Sequence, residues 1–360
     1  MESSQKGLLK VYNQKTTSKG WPAWVLAVVL FAFYIDLYKT EHFTPLANAI
    51  GLPSKWNLYG LLYTIAIIIG GSFVLKKHGN NKYHRYRTMT IMFVQVVFAF
   101  TLPLAMKLFG QKEFYFTYLW PLKIEYFYPS SILEQPLPFI LYSFIGSLIF
   151  FPLLAFFLGK RFYCSWICGC GGLANTAGDS WRHLSSKSVK AWKIEQVSIY
   201  SVLLLAVFST IIVIVNWALT PGMYPRFSNF AFSLQETYGF WIGFVWSGAL
   251  GVALYPLMGT RFWCRFGCPM AALLGLVQKF GRFRITVKDD MCISCGNCSS
   301  HCEMGIDVRS YAMNNQSFKR AACVGCGMCA HVCPRGVLKL ENKWDSHPLT
   351  KLKGYSIKDL

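Results

Sequence analysis

The sequence contains, from residue 292 to residue 302, the stretch Cys292-Ile-Ser-Cys295-Gly-Asn-Cys298-Ser-Ser-His-Cys302. A second stretch of the same spacing follows as Cys323-Val-Gly-Cys326-Gly-Met-Cys329-Ala-His-Val-Cys333-Pro334. In such a C-x2-C-x2-C-x3-C run, three thiolates bind one 4Fe–4S cluster and the fourth binds the neighbouring cluster. The spacing therefore predicts two clusters, the first bound by Cys292, Cys295, Cys298 and Cys333 and the second by Cys323, Cys326, Cys329 and Cys302.

The segment around these cysteines, residues 284–340, has no apolar run long enough to span a membrane. It is expected to form a small two-cluster α+β domain of the bacterial ferredoxin type. Gly296, Gly325 and Gly327 suit the tight turns that bring backbone N–H groups close to the cluster sulfurs.

An alternative for the eight cysteines is a pair of zinc sites, because zinc also binds four thiolates and C-x2-C is its usual half-site. A third cysteine at the next x2 step, followed by x3-Cys-Pro, favours clusters instead. Glu303 follows Cys302 where the pattern has proline. That position shapes the backbone beside the fourth ligand and is not itself a ligand, so the prediction of two clusters stands.

The remainder of the chain is strongly apolar. Of its 360 residues, 54% are hydrophobic and only 14% are charged, whereas a soluble domain carries about a quarter charged residues. Uncharged runs of about 17–25 residues are typical of membrane-spanning helices. Six spans are predicted, at Trp21–Ile35, Trp56–Leu75, Thr88–Met106, Leu137–Leu158, Gln196–Ala218 and Gly239–Met258. The expected fold is an α-helical polytopic membrane protein that ends in the ferredoxin-like domain.

The distribution of lysine and arginine predicts the orientation of these spans. With six spans both termini lie on one side, and the loops of that side carry fifteen Lys and Arg residues against six on the other. The positive-inside rule then places both termini and the cluster domain in the cytoplasm, at a bacterial inner membrane. The predicted organisation is a cytoplasmic arm at residues 1–20, a membrane domain at 21–283, the cluster domain at 284–340 and a polar tail at 341–360.

A second cysteine motif occurs twice, where the fourth and sixth predicted spans end. Gly159-Lys-Arg161-Phe-Tyr-Cys164-Ser-Trp-Ile-Cys168 recurs one hundred residues later as Gly259-Thr-Arg261-Phe-Trp-Cys264-Arg-Phe-Gly-Cys268. Both copies end a span that runs in the same direction, which predicts a parallel internal repeat. Because residues four apart are neighbours on a helix, each C-x3-C pair is expected on one helix face, and four thiols could converge.

Three interpretations of this repeat remain open. Cys164, Cys168, Cys264 and Cys268 could bind a third iron or iron–sulfur centre, act as redox-active dithiols, or be small buried residues. Arg161 and Arg261 would favour thiolates or an anionic centre beside them. Cys170, the thirteenth cysteine, has no counterpart in the second copy, and its role stays open.

Other cofactor motifs are absent from the sequence. All seven histidines are assigned to loops or to the cluster domain, which argues against haem within the membrane. There is no C-x-x-C-H, no Walker A loop and no G-x-G-x-x-G, so neither a haem nor a flavin motif is found. The net charge of +20 is attributed to cytoplasmic loops rather than to nucleic-acid binding. Asp36, Glu41 and His42 could accept protons from a quinol, although an ordinary solvated loop is the simpler interpretation.

The polytopic span set, the two C-x3-C motifs and the C-terminal pair of cluster runs together resemble the NapH/NosR-type membrane iron–sulfur proteins, from about Leu137 to Val337. Two features depart from that pattern: Gly169 follows Cys168 where the family usually has proline, and no flavin domain of the NosR kind precedes the spans. The resemblance implies electron transfer between the quinone pool, or a cytoplasmic donor, and a redox partner complex. It implies other redox subunits and a quinone as candidate partners, and an electron-transfer subunit of a quinol dehydrogenase-like complex as the candidate activity.

A similarity to the CcoG-type membrane ferredoxins implies an alternative function. Those proteins also carry a C-x3-C-P motif and two cluster runs, and they are implicated in copper handling during the maturation of oxidases. The chain would then be an assembly factor that reduces a metal or a thiol. Six predicted spans and the duplicated motif favour the resemblance to the NapH/NosR-type proteins.

Overall fold

The structure is a computed structural model that describes residues 20–219 and 224–343. All but Gly20 of the predicted N-terminal arm, and all but residues 341–343 of the predicted polar tail, lie outside the described residues. The described chain is mostly helical and ends in a two-stranded sheet.

Five helices of the described residues are long and apolar enough to cross a membrane. They are α1 (Trp21–Lys39), α3 (Lys55–His78), α4 (Lys82–Leu108), α6 (Leu137–Leu158) and α9 (Val189–Ala218). Each coincides with one of the first five predicted spans, but most extend further at their ends. α9, for example, begins seven residues before the predicted Gln196, because Ser188 caps its N-terminus and the charged residues that end the apolar run do not end the helix.

Two of these helices contain a π-helical segment, Gln95–Thr101 in α4 and Gly146–Phe150 in α6. Each segment ends two residues before a proline, Pro103 or Pro152. Proline has no N–H to donate to the preceding turn, so a wider turn ahead of it is a usual accommodation.

The sixth predicted span, Gly239–Met258, is helical but not a single regular helix. It continues α10 (Pro225–Tyr238) through a long π-helical segment, Gly239–Leu250, and one turn, Gly251–Ala253. The helix stops at Leu254 before Pro256 and resumes as α11 (Tyr255–Met258). Because this segment is not among the five qualifying helices of the described residues, the count of six spans stays a prediction.

Shorter elements connect these helices. They are α2 (Phe43–Ala49), a 3-10 turn (Ile124–Phe127), α5 (Pro129–Ile132), α7 (Arg161–Cys164), α8 (Gly169–Asn175), a 3-10 helix (Ala177–Leu184), α12 (Phe262–Phe266) and α13 (Pro269–Phe280). α13 packs between α6 and α9 and is a largely buried helix.

The C-terminal segment is built on an antiparallel pair, β1 (Phe283–Val287) and β2 (Leu338–Asn342). The two strands enclose three short helices, α14 (Asn297–Ser300), α15 (Val308–Met313) and α16 (Met328–His331). This arrangement agrees with the small α+β domain expected from the cysteine runs.

The C-terminal segment packs directly on the ends of the long helices. Arg282 donates a backbone hydrogen bond of 2.8 Å to the carbonyl of Phe156 near the end of α6. Gly159, at φ 81°, lies so close to Phe283 that a Cβ atom on it would be 2.6 Å from the ring. Buried residues of α9, α13 and β1 belong to one apolar core. The cysteine-rich segment is therefore held rigidly against one end of the helical bundle.

Candidate metal centres

The eight cysteines of the C-terminal segment line two separate cavities, four in each. Cavity A is lined by Cys292, Cys295, Cys298 and Cys333. Cavity B is lined by Cys302, Cys323, Cys326 and Cys329. In each cavity three cysteines come from one run and the fourth comes from the other run. This is the grouping that the C-x2-C-x2-C-x3-C pattern predicts for two clusters.

Left-handed turns shape the cysteine loops. Gly296 and Gly327 each lie two residues before the third cysteine of their run, and they have φ values of 78° and 81°. Gly325 has φ 58°, and Ser294 adopts φ 55° at the matching position of the first run. The predicted role of the glycines in tight turns therefore has a visible backbone counterpart.

The fourth cysteine of each run accepts a backbone N–H four residues ahead of it. Ile306 donates to Cys302 Sγ at 3.4 Å, and Val337 donates to Cys333 Sγ at 3.4 Å. Such N–H groups stabilise thiolate charge and are typical of the surroundings of cluster ligands.

Burial raises the pKa of the Cys326 thiol to about 11. It also raises the pKa of Cys298 to about 11. These thiols therefore lose their protons only where a bound cation compensates the charge. In residues 20–219 and 224–343, no three His, Cys, Asp or Glu side chains converge in a way that could hold a single metal ion. Four soft thiols around a cavity, rather than around a point, fit a polynuclear cluster better than zinc.

The surroundings of the two cavities differ. Cavity B faces the helical bundle, whose side chains bind the carbonyls of its loop: Tyr83 Oη donates to Gly325 O at 2.7 Å, and Ser165 Oγ donates to Val324 O at 2.7 Å. The Arg87 guanidinium donates to the carbonyl of Cys326. Cavity A is bordered instead by side chains that are exposed to solvent, among them Ile293, Pro334 and Arg335.

The two copies of the membrane-edge motif have the same local backbone. Gly159 and Gly259 both adopt left-handed φ values, 81° and 93°. Cys168 N donates to Tyr163 O, and Cys268 N donates to Trp263 O, each at 2.9 Å. The repeat noticed in the sequence is therefore also a repeat of local conformation.

One prediction about this motif is wrong: the two cysteines of a pair do not lie on one helix face. Cys164 ends α7, and Cys168 has an extended backbone at the N-terminal cap of α8. The second copy is built alike, with Cys268 capping α13 just before Pro269. A residue before proline avoids the helical region, so the chain turns between the two cysteines.

All four membrane-edge cysteines are buried. Gly171 passes so close to Cys164 that a Cβ atom would lie 1.9 Å from its carbonyl oxygen. The neighbouring thiol of Cys170 lowers the pKa of Cys168 to about 7. Burial raises the pKa of Cys164 to about 12. Cys170 thus acts on a cysteine of the motif, which the sequence did not indicate.

Arg261 connects the second copy of the motif to the cysteine-rich segment. Its Nη1 lies 3.7 Å from Cys264 Sγ and donates to Cys164 O at 3.1 Å. Its Nη2 lies 3.1 Å from Glu303 Oε1, while Arg182 Nη1 lies 2.9 Å from Glu303 Oε2. Burial alone would raise the pKa of Glu303, but these arginines outweigh it and hold the pKa below its usual range. Glu303 is therefore a buried carboxylate between two guanidinium groups.

Arg161 does not have the role expected for it. Its Nε donates to Leu158 O at 2.9 Å, and its guanidinium stacks over Phe283, so it faces away from the cysteine pair. The neighbouring Lys160 is the buried cation near Cys164, and its positive charge favours the thiolate of that residue. The motif copies therefore differ in which basic residue approaches the thiols.

A third cavity, cavity C, has a volume of about 690 Å³ and lies among the long helices. Cys170 and Cys264 line one part of it, and Glu113, Lys123 and Glu125 line another. Many of its other wall residues are tyrosines, namely Tyr34, Tyr38, Tyr59, Tyr63, Tyr115, Tyr118, Tyr128, Tyr238 and Tyr255.

Cavity C extends toward the end of the bundle that is remote from the cysteine-rich segment. α4 starts beside cavity B, where Tyr83 binds Gly325, and its 27 residues span about 40 Å. Glu113 follows closely after the other end of α4 and lines the cavity. The cavity therefore gives the membrane-edge thiols an approach from the opposite side, which no motif in the sequence had indicated.

Asp36, Glu41 and His42, the candidate proton acceptors, do not line cavity C; Asp36 pairs with His42 at 2.8 Å, and Glu41 pairs with Lys55. Glu41 and His42 are exposed, which fits the simpler interpretation of an ordinary solvated loop. The assignment of every histidine to a loop or to the cluster domain is wrong for His78 and His84, which lie on α3 and α4.

Comparison with known proteins matches the family model described as a 4Fe-4S dicluster domain to residues 285–340. The model described as a 4Fe-4S binding domain matches twice, at residues 140–191 and 238–288. The chain carries ferredoxin-type 4Fe–4S domains. The dicluster match contains both cysteine runs, and the two matches of the 4Fe-4S binding domain contain the two copies of the membrane-edge motif.

Two curated proteins illustrate this similarity. The methylamine utilization ferredoxin-type protein MauN of Paracoccus denitrificans is 29% identical over 160 residues, which are 44% of this chain and 53% of MauN. YccM of Escherichia coli, named as a candidate electron transport protein, is 26% identical over 187 residues, 49% of this chain and 51% of YccM. The chain thus spans about half the length of these relatives. No solved structure matches the chain significantly.

Proposed function

We propose that this chain is a membrane-bound iron–sulfur electron-transfer protein. The single observation that carries the proposal is the grouping of eight cysteines into two cavities, each completed by a cysteine from the other run. The ferredoxin-type family matches and the ferredoxin-type relatives point to the same class of protein.

The proposed ligands of the first cluster are the four cysteines of cavity A, and those of the second are the four cysteines of cavity B. A bound 4Fe–4S cluster supplies a one-electron carrier at each position. The chain's own contribution is to hold eight thiolates, to direct N–H groups at Cys302 and Cys333, and to bind the loop of cavity B to the helical bundle through Tyr83 and Ser165.

The packing suggests an order for the electron carriers. Cavity A borders solvent, while cavity B contacts α4 and the membrane-edge motifs. We therefore place cavity A nearest a soluble partner and cavity B nearest the membrane-edge cysteines. The span ends that carry many basic residues, such as the end of α3 and the start of α4, lie beside this domain, which supports a cytoplasmic location at an inner membrane.

We further propose that Cys164, Cys168, Cys264 and Cys268 belong to a third iron–sulfur centre. Two observations support it: the same 4Fe-4S binding model matches both copies of the motif, and both copies present buried cysteines in the same local backbone. An electron would reach these residues from cavity B, on the side where Arg261 and Glu303 meet.

Cavity C supports a small-molecule partner of the membrane domain. A quinone would suit a space of about 690 Å³ that is walled largely by tyrosines and bordered by Cys170 and Cys264. Further redox subunits are expected partners, because no cluster run of residues 20–219 and 224–343 lies between the membrane-edge cysteines and the remote end of the bundle.

The second candidate is an assembly factor that reduces a metal or a thiol during the maturation of a respiratory enzyme. The observation that favours it is the pair of neighbouring thiols Cys168 and Cys170, of which Cys170 lines cavity C. A thiol pair with one member in a cavity could exchange with a dithiol substrate.

Stepwise anaerobic reduction with EPR detection tests the proposed function. Two interacting cubane signals in the purified, full-length protein are expected. A protein that contains iron but shows no signal at any potential would contradict a role in one-electron transfer. For the second candidate, a Cys170→Ser variant would lose thiol reduction while both cubane signals remain.

A further inference from the structure

Glu303 and Pro334 occupy the same place after the fourth cysteine of their runs, yet their surroundings differ. Pro334 is exposed, whereas Glu303 is fully buried, with no exposed surface. Since proline completes the run of Cys333, a cysteine loop of this kind does not itself require glutamate. The buried carboxylate therefore serves something outside its own loop.

Every polar contact of the Glu303 side chain is made with the membrane domain. Oε1 pairs with Arg261 at 3.1 Å, and Oε2 pairs with Arg182 at 2.9 Å. The backbone carbonyl of the same residue accepts a hydrogen bond of 2.6 Å from Ser185 Oγ. Breaking a buried pair of this kind leaves an uncompensated charge, which is far more costly than losing an exposed pair.

Arg261 extends the connection to the membrane-edge motif. The same guanidinium that binds Glu303 lies 3.7 Å from Cys264 Sγ and donates to Cys164 O. A path of one peptide bond and two side-chain contacts thus runs from Cys302, which lines cavity B, to Cys264.

The charges along this path are buried and therefore act strongly on any redox centre nearby. Arg87, Arg182 and Arg261 are positive and Glu303 is negative, and all four are almost fully excluded from solvent. Net charge and hydrogen bonds to the sulfurs are among the factors that set cluster potentials. A negative charge beside cavity B disfavours reduction there, and a positive charge favours it.

We propose that Glu303 is a positioning residue for electron transfer, which holds Arg261 between cavity B and Cys264 and sets the potential of the cluster in cavity B. The inference rests on the proposed function, because it requires a cluster in that cavity. In the step concerned, one electron leaves the reduced centre and enters the oxidised one, and no bond forms or breaks. A one-electron carrier protein docked near cavity A supplies or removes that electron.

EPR-monitored redox titration of the full-length protein tests this inference. Glu303→Gln and Glu303→Pro each remove one negative charge and are expected to shift the potential of the cavity B cluster to more positive values. Arg261→Gln removes a positive charge and is expected to shift it to more negative values. The potential of the cavity A cluster should stay unchanged in all three variants.

Two further variants complete the design. Glu303→Gln combined with Arg261→Gln leaves no unpaired member of that ion pair, so it is expected to retain both clusters and a potential close to that of the wild type. Asp307→Asn is the matched control, because Asp307 is an exposed carboxylate of the same domain that binds Ser299. Its removal should leave the cavity B potential unchanged, since exposed charges are screened.

Opposite shifts of the cavity B potential in the Glu303 variants and in Arg261→Gln support a charge bridge. Mere damage to the loop has no reason to depend on the sign of the charge removed. Shifts of the same sign, or no shift, overturn the inference while leaving the proposed function intact. If the single variants lose their iron, the double variant decides: retained clusters support the bridge and lost clusters overturn it. A wild-type protein without clusters would overturn the proposed function and this inference together.

Discussion

The hydroxyl of Tyr83 donates a hydrogen bond of 2.7 Å to the carbonyl of Gly325. Tyr83 lies in the first turn of the membrane-spanning helix α4, and Gly325 lies in the loop that lines cavity B. The contact means that the ferredoxin-type domain is seated on the helix ends rather than tethered at a distance. Changes in one domain are therefore expected to affect the other through the contacts around cavity B.

The two-cluster assignment predicts that one cysteine from each cavity controls one cluster. Cys295→Ala and Cys326→Ala should each lose about one cluster's worth of iron, about four atoms, because each removes one of the four ligands of a 4Fe–4S cluster. Iron and sulfide analysis of the purified variants measures this. Cys170→Ala, which removes a cysteine outside both cavities, is the control and should keep the iron of both clusters. Unchanged iron and sulfide in both cavity variants would contradict the assignment.

The proposed third centre predicts a different outcome for the membrane-edge motif. The double variant Cys164→Ser, Cys264→Ser should abolish electron transfer to the membrane domain while both ferredoxin-type clusters remain, since neither residue lines cavity A or cavity B. Reoxidation of the reduced protein by its membrane partner, together with EPR of the two clusters, measures both effects. Full electron-transfer activity in the double variant would mean that these cysteines serve only as small buried packing residues.

The hydrogen bonds of the Gln278 side chain are expected to contribute to how strongly the two domains are joined. Its side chain accepts from Lys160 N at 2.7 Å and donates to Arg320 O and Cys323 O, each at 2.9 Å. Gln278→Leu leaves these buried groups unpaired and should destabilise the protein by about 2–4 kcal/mol, given about 1–3 kcal/mol for each unsatisfied group and partial relaxation.

Thermal loss of cluster absorbance in detergent measures that stability. Gln111→Leu is the control, because Gln111 is exposed and its substitution should change stability by less than about 0.5 kcal/mol. Equal melting of both variants and the wild type would show that the Gln278 contacts do not hold the domains together.

Cavity C predicts that a larger side chain at Gly243 will interfere with a small-molecule partner. Gly243 lines the cavity, and a Cβ atom on it would meet nothing within 4 Å, so a side chain can be added at this point of the cavity wall. Gly243→Leu should weaken quinone binding and slow quinone-linked electron transfer, with the iron content unchanged.

Binding of a quinone analogue to the detergent-purified variant measures this effect. Val197→Leu, at a residue of α9 that is 70% exposed and does not line the cavity, is the control and should bind as the wild type does. Undiminished binding of the quinone analogue to Gly243→Leu would contradict a quinone site in cavity C.

The parts of the site that the sequence could predict are those encoded by short spacings. The grouping of Cys302 with the second run and of Cys333 with the first follows from the pattern alone, because the cluster itself dictates which thiolates can reach it. The long apolar helices were likewise predictable from composition, although their ends were not, since charged residues end an apolar run without ending a helix.

The remaining features depend on residues that are distant in the sequence. Glu303 meets Arg182 and Arg261 across 121 and 42 positions respectively, and only the packing of the two domains brings them together. Cavity C arises in the same way, from long helices and short cysteine-bearing elements that are distant in the sequence. The C-x3-C pairs were misplaced on one helix face because the helical neighbour rule was applied through a turn that Pro269 enforces in the second copy.

Anaerobic quantification of iron, acid-labile sulfide and zinc in the detergent-purified protein tests the central claim most directly. Two 4Fe–4S clusters predict about eight irons and about eight sulfides per chain. The third centre proposed at Cys164, Cys168, Cys264 and Cys268 predicts iron beyond that number, and iron that stops at it would contradict the third centre while leaving the two clusters. Zinc in place of iron and sulfide would make the protein a structural metal protein and would contradict electron transfer as its function.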